Sequence, residues 1–253
     1  MAFTVTLCYA SLLDIRKRRV PFRTWYPMLA VSIPFSAFFY GFLVIGDEFT
    51  IAMYLAAMAI VFSLVFYLFA YFNLFGGADA WALIFLSLCI PAFPLTPIFG
   101  VPPHAFFPFS VLINAVLLNL FTPVAIYFYN IRKGNNAPFP YLFIAYPVEG
   151  TQISESNGYV MEEFGEDNGV LIRRFIGIGE AIRGMVTGKG RIYTLDLRRN
   201  PEKYRKEREL MEKAGRVWIA YGVPFIIPIT AGFVTALLFG DIFFGLLKVV
   251  NGV

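Results

Sequence analysis

The chain has 253 residues, of which 58% are hydrophobic and 18% aromatic, and its mean hydropathy is +0.66. Since a soluble domain is only about one-half apolar, this composition excludes an ordinary soluble protein and indicates a membrane protein with several spans. The net charge of +4 does not indicate a nucleic-acid partner, because the basic residues stand beside apolar runs and in one polar segment.

Six apolar segments are candidates for crossing a bilayer, which takes about 20 residues. They are residues 1–13, 25–45, 51–75, 79–99, 105–131 and 217–247. Pro34 predicts a kink in the second, Pro91, Pro94 and Pro97 fray the fourth, and Pro224 and Pro228 break the last. We therefore expect an all-α polytopic membrane protein, with five transmembrane helices in residues 1–131 and a sixth in residues 217–253.

Residues 132–216 hold most of the charge and predict a small mixed α/β domain between helices five and six. Asn168-Gly169, between Tyr159-Val160-Met161 and Val170-Leu171-Ile172, predicts a β-hairpin. Gly188-Lys189-Gly190 predicts a second tight turn. A charged helix is expected from Asn200-Pro201 to about Ala214, ending at Gly215.

The basic residues also predict the orientation in the membrane. Five of the 21 stand between the first two spans, fifteen between the last two, and only Lys248 elsewhere. Because six spans place those two loops on one side, that side is expected to be the cytosol, with both termini outside. Asp14, which closes the first span, and Asp79, which opens the fourth, then both lie at the cytosolic face.

Asp79 stands in Phe75-Gly76-Gly77-Ala78-Asp79-Ala80-Trp81, between two long runs without charge. A carboxylate at or just inside a bilayer surface is costly and indicates a functional site. A turn or helix N-cap is the alternative, because Asp is favoured there. Gly76 and Gly77 tolerate backbone conformations closed to other residues and would let a peptide approach Asp79, but they also suit a tight turn.

Asp14 and Asp79 are the candidates for a catalytic pair. Two carboxylates within hydrogen-bond range do not both ionise easily, so one keeps a proton and the other acts as a base toward a shared water. This is the chemistry of aspartyl peptide hydrolysis, which needs no metal and no cofactor. His104 is the single histidine and is expected on the opposite face, so a site built from several histidines is excluded and a structural role is favoured.

Two interpretations outside enzymology stay open. An ion-coupled transporter or channel would use Asp14 and Asp79 as ion-binding carboxylates, although carriers place such sites at the midplane and not near one face. A structural assembly subunit is the other.

Three motifs in order resemble a known family. Gly76-Gly77-Ala78-Asp79 resembles the Gly-x-Gly-Asp motif of the membrane aspartyl proteases that include type IV prepilin peptidases and presenilin, in the archaeal form with a hydrophobic third position. Asp14 with the downstream Val20-Pro21 is similar to the first catalytic aspartate of prepilin peptidases and the Val-Pro that follows it. Pro224-Phe225-Ile226-Ile227-Pro228 resembles the Pro-Phe-x-x-Pro element of their last span.

The resemblance implies an archaeal preflagellin (archaellin) peptidase that removes a short basic leader from preflagellin or pilin-like precursors at the cytosolic membrane face. It assigns catalysis to Asp14 and Asp79 and a supporting role to seven further residues: Pro21, Gly76, Gly77, Ala78, Pro224, Phe225 and Pro228. The loop between the first two spans lacks the four-cysteine domain of bacterial prepilin peptidases, so we expect proteolysis without methylation. Six acidic residues of the soluble domain are candidates for binding the basic leader: Glu149, Glu155, Glu162, Glu163, Glu166 and Asp167.

Overall fold

The computed structural model describes residues 1–72, 75–177, 179–180, 183, 192–221 and 225–251. These residues form two compact units: the first takes the described residues of 1–120 and 224–253, and the second those of 121–223. Pro224 and the predicted turn at Gly188-Lys189-Gly190 lie outside the described residues.

The described helices are, in chain order, α1 Ala2–Lys17, α2 Tyr26–Ile45, α3 Phe49–Tyr71, α4 Gly77–Cys89, α5 Phe107–Asn119, α6 Phe121–Arg132, α7 Tyr141–Ile144, α8 Thr194–Arg199, α9 Arg205–Ala214, α10 Ile226–Leu238 and α11 Ile242–Asn251. Short 3-10 helices occupy Phe22–Trp25 and Gly150–Glu155. The strands are β1 Ala145–Glu149, β2 Gly158–Val160, β3 Glu162–Asp167, β4 Val170–Phe175 and β5 Arg216–Tyr221.

The long helices identify a mostly helical membrane protein. Among the described residues, Phe22–Ile45, Phe49–Tyr71 and Phe107–Arg132 are long and apolar enough to cross a bilayer. The pair α10 and α11, bent by 49°, makes a fourth if it counts as one span. The six predicted spans are therefore not confirmed by helix length: α1 has 16 residues and α4 has 13.

The first unit turns large apolar side chains outward. Phe35, Phe38 and Phe42 on α2 are 68%, 74% and 66% exposed, which suits a lipid-facing surface and would be costly in water. Its interior is centred on α4, where Ala80, Ala82, Leu83 and Leu86 are fully buried. This short helix is thus the core of the unit, and Asp79 begins it.

Two predicted helix limits were wrong. The fourth apolar segment was expected to reach residue 99, but α4 ends at Cys89, because Pro91 and the prolines that follow cannot continue a helix. The last was expected to start at residue 217, but Arg216–Tyr221 is the central strand of a sheet. Its continuous apolar run arises because Val217, Trp218 and Ile219 are all buried, as in a strand covered on both faces.

The second unit contains a three-stranded antiparallel sheet in the order β1-β5-β2, with Glu149 opposite Arg216 and Val160 opposite Ile219. Ile153, Val160, Leu197, Met211, Val217 and Ile219 form one of its cores. A mixed α/β domain was predicted here, and the structure has both strands and helices.

The predicted hairpin has the expected turn but a different first strand. Asn168 and Gly169 have φ values of 51° and 80°, which a two-residue hairpin turn requires, and they connect β3 to β4. Tyr159 and Val160, predicted to form this hairpin, instead pair with β5 in the other sheet. The charged helix runs over Arg205–Ala214 and ends at Gly215 with φ 74°, so its end was predicted correctly and its start about five residues too early.

Candidate active site

Asp14 lies near the C-terminal end of α1 and is partly buried. α1 is held against α10 by hydroxyl groups: Ser11 Oγ and Thr230 Oγ1 are 2.8 Å apart, and Thr230 Oγ1 lies 3.3 Å from the Leu7 carbonyl oxygen. Because α1 closes at Arg18, whose N–H donates to the Asp14 carbonyl oxygen at 2.9 Å, the Asp14 side chain projects from a fixed last turn.

Asp79 lies in the first turn of α4 and is only 9% exposed. The backbone before it is extended at Gly76 (φ −64°, ψ 136°), and the Gly76 carbonyl accepts the Ala80 N–H at 2.9 Å to begin the helix. Asp79 Oδ1 is buried and has no hydrogen-bond partner among the described residues. An unpaired buried carboxylate oxygen is costly, which is expected of a group kept for chemistry and not for stability.

The two glycines of the motif differ in what surrounds them. A Cβ on Gly76 would collide with Asp79 Oδ2, whereas a Cβ on Gly77 would meet nothing within 4 Å. Neither has the positive φ that requires glycine. The expectation that both serve through unusual backbone conformations was therefore wrong: Gly76 provides space for the carboxylate, and Gly77 begins α4.

Asp14 and Asp79 line the same cavity, of about 560 Å³, and are close enough for their charges to interact. The wall is completed by Arg18, Arg19, Val20, Pro21, Gly76, Gly77 and Ala78. The structure thus places four of the seven predicted supporting residues on this wall beside the two carboxylates, namely Pro21, Gly76, Gly77 and Ala78.

The Pro-Phe-x-x-Pro motif contacts this site through its backbone and through the Phe225 ring. The N–H of Ile226, at the start of α10, lies within range of the Asp79 carboxyl, where the positive end of the helix dipole favours negative charge. Phe225 packs on Phe75 with ring centroids 5.2 Å apart. Pro228 is buried within α10 and is not part of the cavity wall.

Sequence reasoning missed Arg18 and Arg19 as cavity residues and Ile226 as an amide neighbour of Asp79. The basic run was interpreted only as an orientation signal. The available clue was spacing: Arg18 follows Asp14 by four residues, and such pairs face each other along a helix.

His104 belongs to a separate polar cluster. Its Nδ1 accepts the Phe106 N–H at 3.1 Å, and its Nε2 is 3.6 Å from Asp241 Oδ2. Ser110 Oγ donates to the same Asp241 oxygen at 3.2 Å, and Asp241 Oδ1 accepts the Phe244 N–H at 3.0 Å. These bonds hold the bend between α10 and α11, and they support the structural role predicted for His104. A larger cavity, about 690 Å³, adjoins this cluster, and Asp241 is the one carboxylate among the described residues that line it.

The six acidic residues suggested as a leader-binding surface are mostly paired within the second unit. Glu162 binds Arg173, Glu163 binds Arg174, Glu166 binds Lys213, and Glu149 lies 3.5 Å from Arg216. Neither Glu155 nor Asp167 takes part in an ion pair within the described residues. These pairs reduce the negative charge available to a basic partner.

The long apolar helices indicate a membrane protein, and comparison with known proteins identifies its class as a peptidase. Residues 1–125 match the type IV leader peptidase family, and residues 137–242 match the model described as archaeal peptidase A24 C-terminus type II. The chain belongs to the type IV leader peptidase family. It is similar to a preflagellin peptidase of Methanococcus voltae, with 25% identity over 243 residues that cover 93% of this chain and 92% of the relative.

Proposed function

We propose that this chain is a membrane-embedded aspartyl endopeptidase that removes the short basic leader from preflagellin or type IV pilin-like precursors. The observation that carries the proposal is the cavity shared by Asp14 and Asp79, which come from two different helices, α1 and α4. Membership of a leader peptidase family supports the reaction, and the relative's name, preflagellin peptidase, supports the substrate.

In the proposed reaction one carboxylate takes a proton from water while the other is protonated. The water oxygen then bonds to the scissile carbonyl carbon, and the protonated carboxyl stabilises the oxygen that gains charge. Collapse of the tetrahedral intermediate breaks the carbon–nitrogen bond, and a carboxyl proton goes to the leaving amine. The 560 Å³ cavity is large enough for a few residues of an extended peptide beside both carboxyls.

We place the active site and the second unit in the cytosol and both termini outside, with six spans that include the short α1 and α4. The distribution of basic residues supports this orientation, because twenty of the 21 fall in two loops that six spans put on one side. A basic leader would then be cut before its precursor is exported.

The transporter alternative used the same two carboxylates. Both family models describe peptidases, and neither describes a carrier. A channel would also need a pathway through the bilayer, whereas Asp79 lies against the closely packed interior of α4.

The test is cleavage of a leader-bearing precursor by the full chain in detergent or vesicles. Asp14→Asn and Asp79→Asn keep side-chain size but remove acid–base chemistry, so each is expected to abolish cleavage while leaving the protein folded. Asp47→Asn, on the loop between α2 and α3, is the matched control and should cleave normally. Cleavage by either active-site variant at the wild-type rate would refute the proposal.

A further inference from the structure

Arg18 differs from the other members of the basic run that follows Asp14. Arg16, Lys17 and Arg19 are exposed, whereas Arg18 is partly buried and its Nε is shielded from solvent. A residue that served only to orient the membrane spans would gain nothing from burial, because that role needs charge near the surface. The partial burial of Arg18 therefore indicates a role inside the protein.

The backbone at Arg18 points to the same conclusion. Its φ of 51° and ψ of 31° lie in the left-handed region, which helix ends usually fill with glycine. An arginine in this conformation has a strained backbone, and strained residues of this kind concentrate at functional sites. The conformation places the Arg18 side chain on the wall of the cavity that holds both carboxyls.

Arg18 follows Asp14 by four residues and lines the same cavity, so its positive charge stands near the Asp14 carboxyl. Among the described residues, the other charged groups on the wall of this cavity are Asp79 and Arg19. α10, which packs on α1, contributes only the hydroxyl of Thr230 and backbone groups near this turn. Arg18 is thus the partly buried cation beside Asp14, and Asp79 is the more buried of the two acids.

We propose that Arg18 is a positioning residue that keeps Asp14 ionised as the general base, so that Asp79 is the acid that carries the proton. The proposal rests on the proposed function and assigns its two roles. Burial opposes the charged form of a carboxylate, and a neighbouring guanidinium favours it, so the acid next to Arg18 is the one that ionises. Asp79, with an oxygen that no described residue pairs, keeps the proton that the two acids share.

In this assignment Asp14 removes a proton from water, and the water oxygen bonds to the scissile carbon while Asp79 passes its proton to the carbonyl oxygen. The carbon–nitrogen bond then breaks, the proton held by Asp14 goes to the leaving nitrogen, and the hydroxyl formed on the former carbonyl oxygen returns a proton to Asp79. Both aspartates end in their starting states.

The test compares Arg18→Gly, Arg18→Lys and the control Lys17→Gly in the full chain, with cleavage of a leader-bearing precursor measured across pH. Gly suits the left-handed backbone and removes the charge, and Lys keeps the charge. We expect Arg18→Gly to move the acid limb of the kcat/KM profile about one pH unit higher. At pH values below the wild-type acid limb, Arg18→Gly should cleave about ten-fold more slowly than wild type. The Lys17→Gly profile should be unchanged, and the acid limb of Arg18→Lys should lie close to that of wild type.

An acid limb that stays in place in Arg18→Gly would overturn the inference, and so would an Arg18→Lys limb displaced as far as that of Arg18→Gly. Elution of each purified variant as a single species separates loss of folding from loss of charge. The Asp14→Asn and Asp79→Asn results show whether a failure concerns the proposed function or only the role of Arg18. If those variants cleave, the proposed function fails; if they do not cleave and the Arg18 variants keep the wild-type limb, only the role of Arg18 fails.

Discussion

The space that a side chain at Gly76 would occupy is taken by the carboxylate of Asp79. A Cβ built on Gly76 collides with Asp79 Oδ2, so the glycine and the acid are one geometric unit. Asp79 therefore reaches its position beside the cavity because residue 76 has no side chain, and a residue of any other type would push the carboxylate away.

The first prediction compares the two glycines of the motif. Gly76→Ala should displace the Asp79 carboxyl, and a shift of about 1 Å at a catalytic group costs about 100-fold in rate. Gly77→Ala has open space for its methyl group and should lose much less activity. Initial rates of leader cleavage by the two purified variants provide the measurement, and equal losses would show that Gly76 has no special relation to Asp79.

A second prediction concerns the contact that holds α1 on α10. Ser11 Oγ and Thr230 Oγ1 are 2.8 Å apart, and removing either hydroxyl breaks this hydrogen bond between the helices. Ser11→Ala and Thr230→Val should each destabilise the protein by about 1 kcal/mol, with a smaller combined loss than the sum, because they share one interaction. Thermal unfolding of the single and double variants in detergent tests this, and strictly additive losses would contradict it.

The second unit offers a matched pair of ion-pair variants. Glu162 is 3% exposed and accepts hydrogen bonds from Arg173 at 2.6 Å and from the Trp218 N–H at 2.8 Å. Glu162→Ala should destabilise the unit by about 2 kcal/mol, because it leaves a buried amide without its acceptor. Glu163→Ala removes a pair whose side chains are 56% and 55% exposed and should cost under about 1 kcal/mol.

Limited proteolysis of the second unit within the full chain compares these two variants. Glu162→Ala should be cut faster than wild type, and Glu163→Ala at nearly the wild-type rate. The reverse order of rates would show that the buried carboxylate does not stabilise the sheet.

A pH effect is expected after β4. The Gly177 N–H, which donates to Glu180 Oε2 at 3.0 Å, and the Arg174 guanidinium together lower the pKa of Glu180. A carboxyl whose pKa is lowered in the folded protein stabilises the folded form at pH values above its ordinary pKa. This contribution is lost as the pH falls through the lowered pKa. The protection factor of the Gly177 amide, which is its intrinsic exchange rate at each pH divided by the observed rate, should fall over that acidic interval. Glu180→Gln should abolish the pH dependence of this protection factor, and its persistence would assign the effect to another group.

Much of the arrangement was predictable from charge and hydropathy. Asp14 and Asp79 stand out because each interrupts or ends a charge-free run, and the predicted alternation of six spans led to the expectation that they lie at one face. The Asn168-Gly169 turn and the helix end at Gly215 follow from backbone preferences that single residues reveal.

One failure arose because burial on both faces of a strand removes the alternation of apolar and polar residues. Val217, Trp218 and Ile219 form a strand that is covered on both faces, so the run looks like the start of a membrane helix. Arg18 was missed for a different reason: the sequence alone does not distinguish a basic residue that helps to orient a membrane span from one that lines a cavity. Only the left-handed backbone and the partial burial separate them.

The central claim, that Asp14 and Asp79 act as one acid–base unit, is tested most directly by the rates of Asp14→Asn, Asp79→Asn and the double variant on one leader-bearing precursor. Residues that act as a unit are strongly non-additive, so the double variant should be no slower than either single variant. A double variant that loses the sum of the two single losses in activation free energy would contradict the claim.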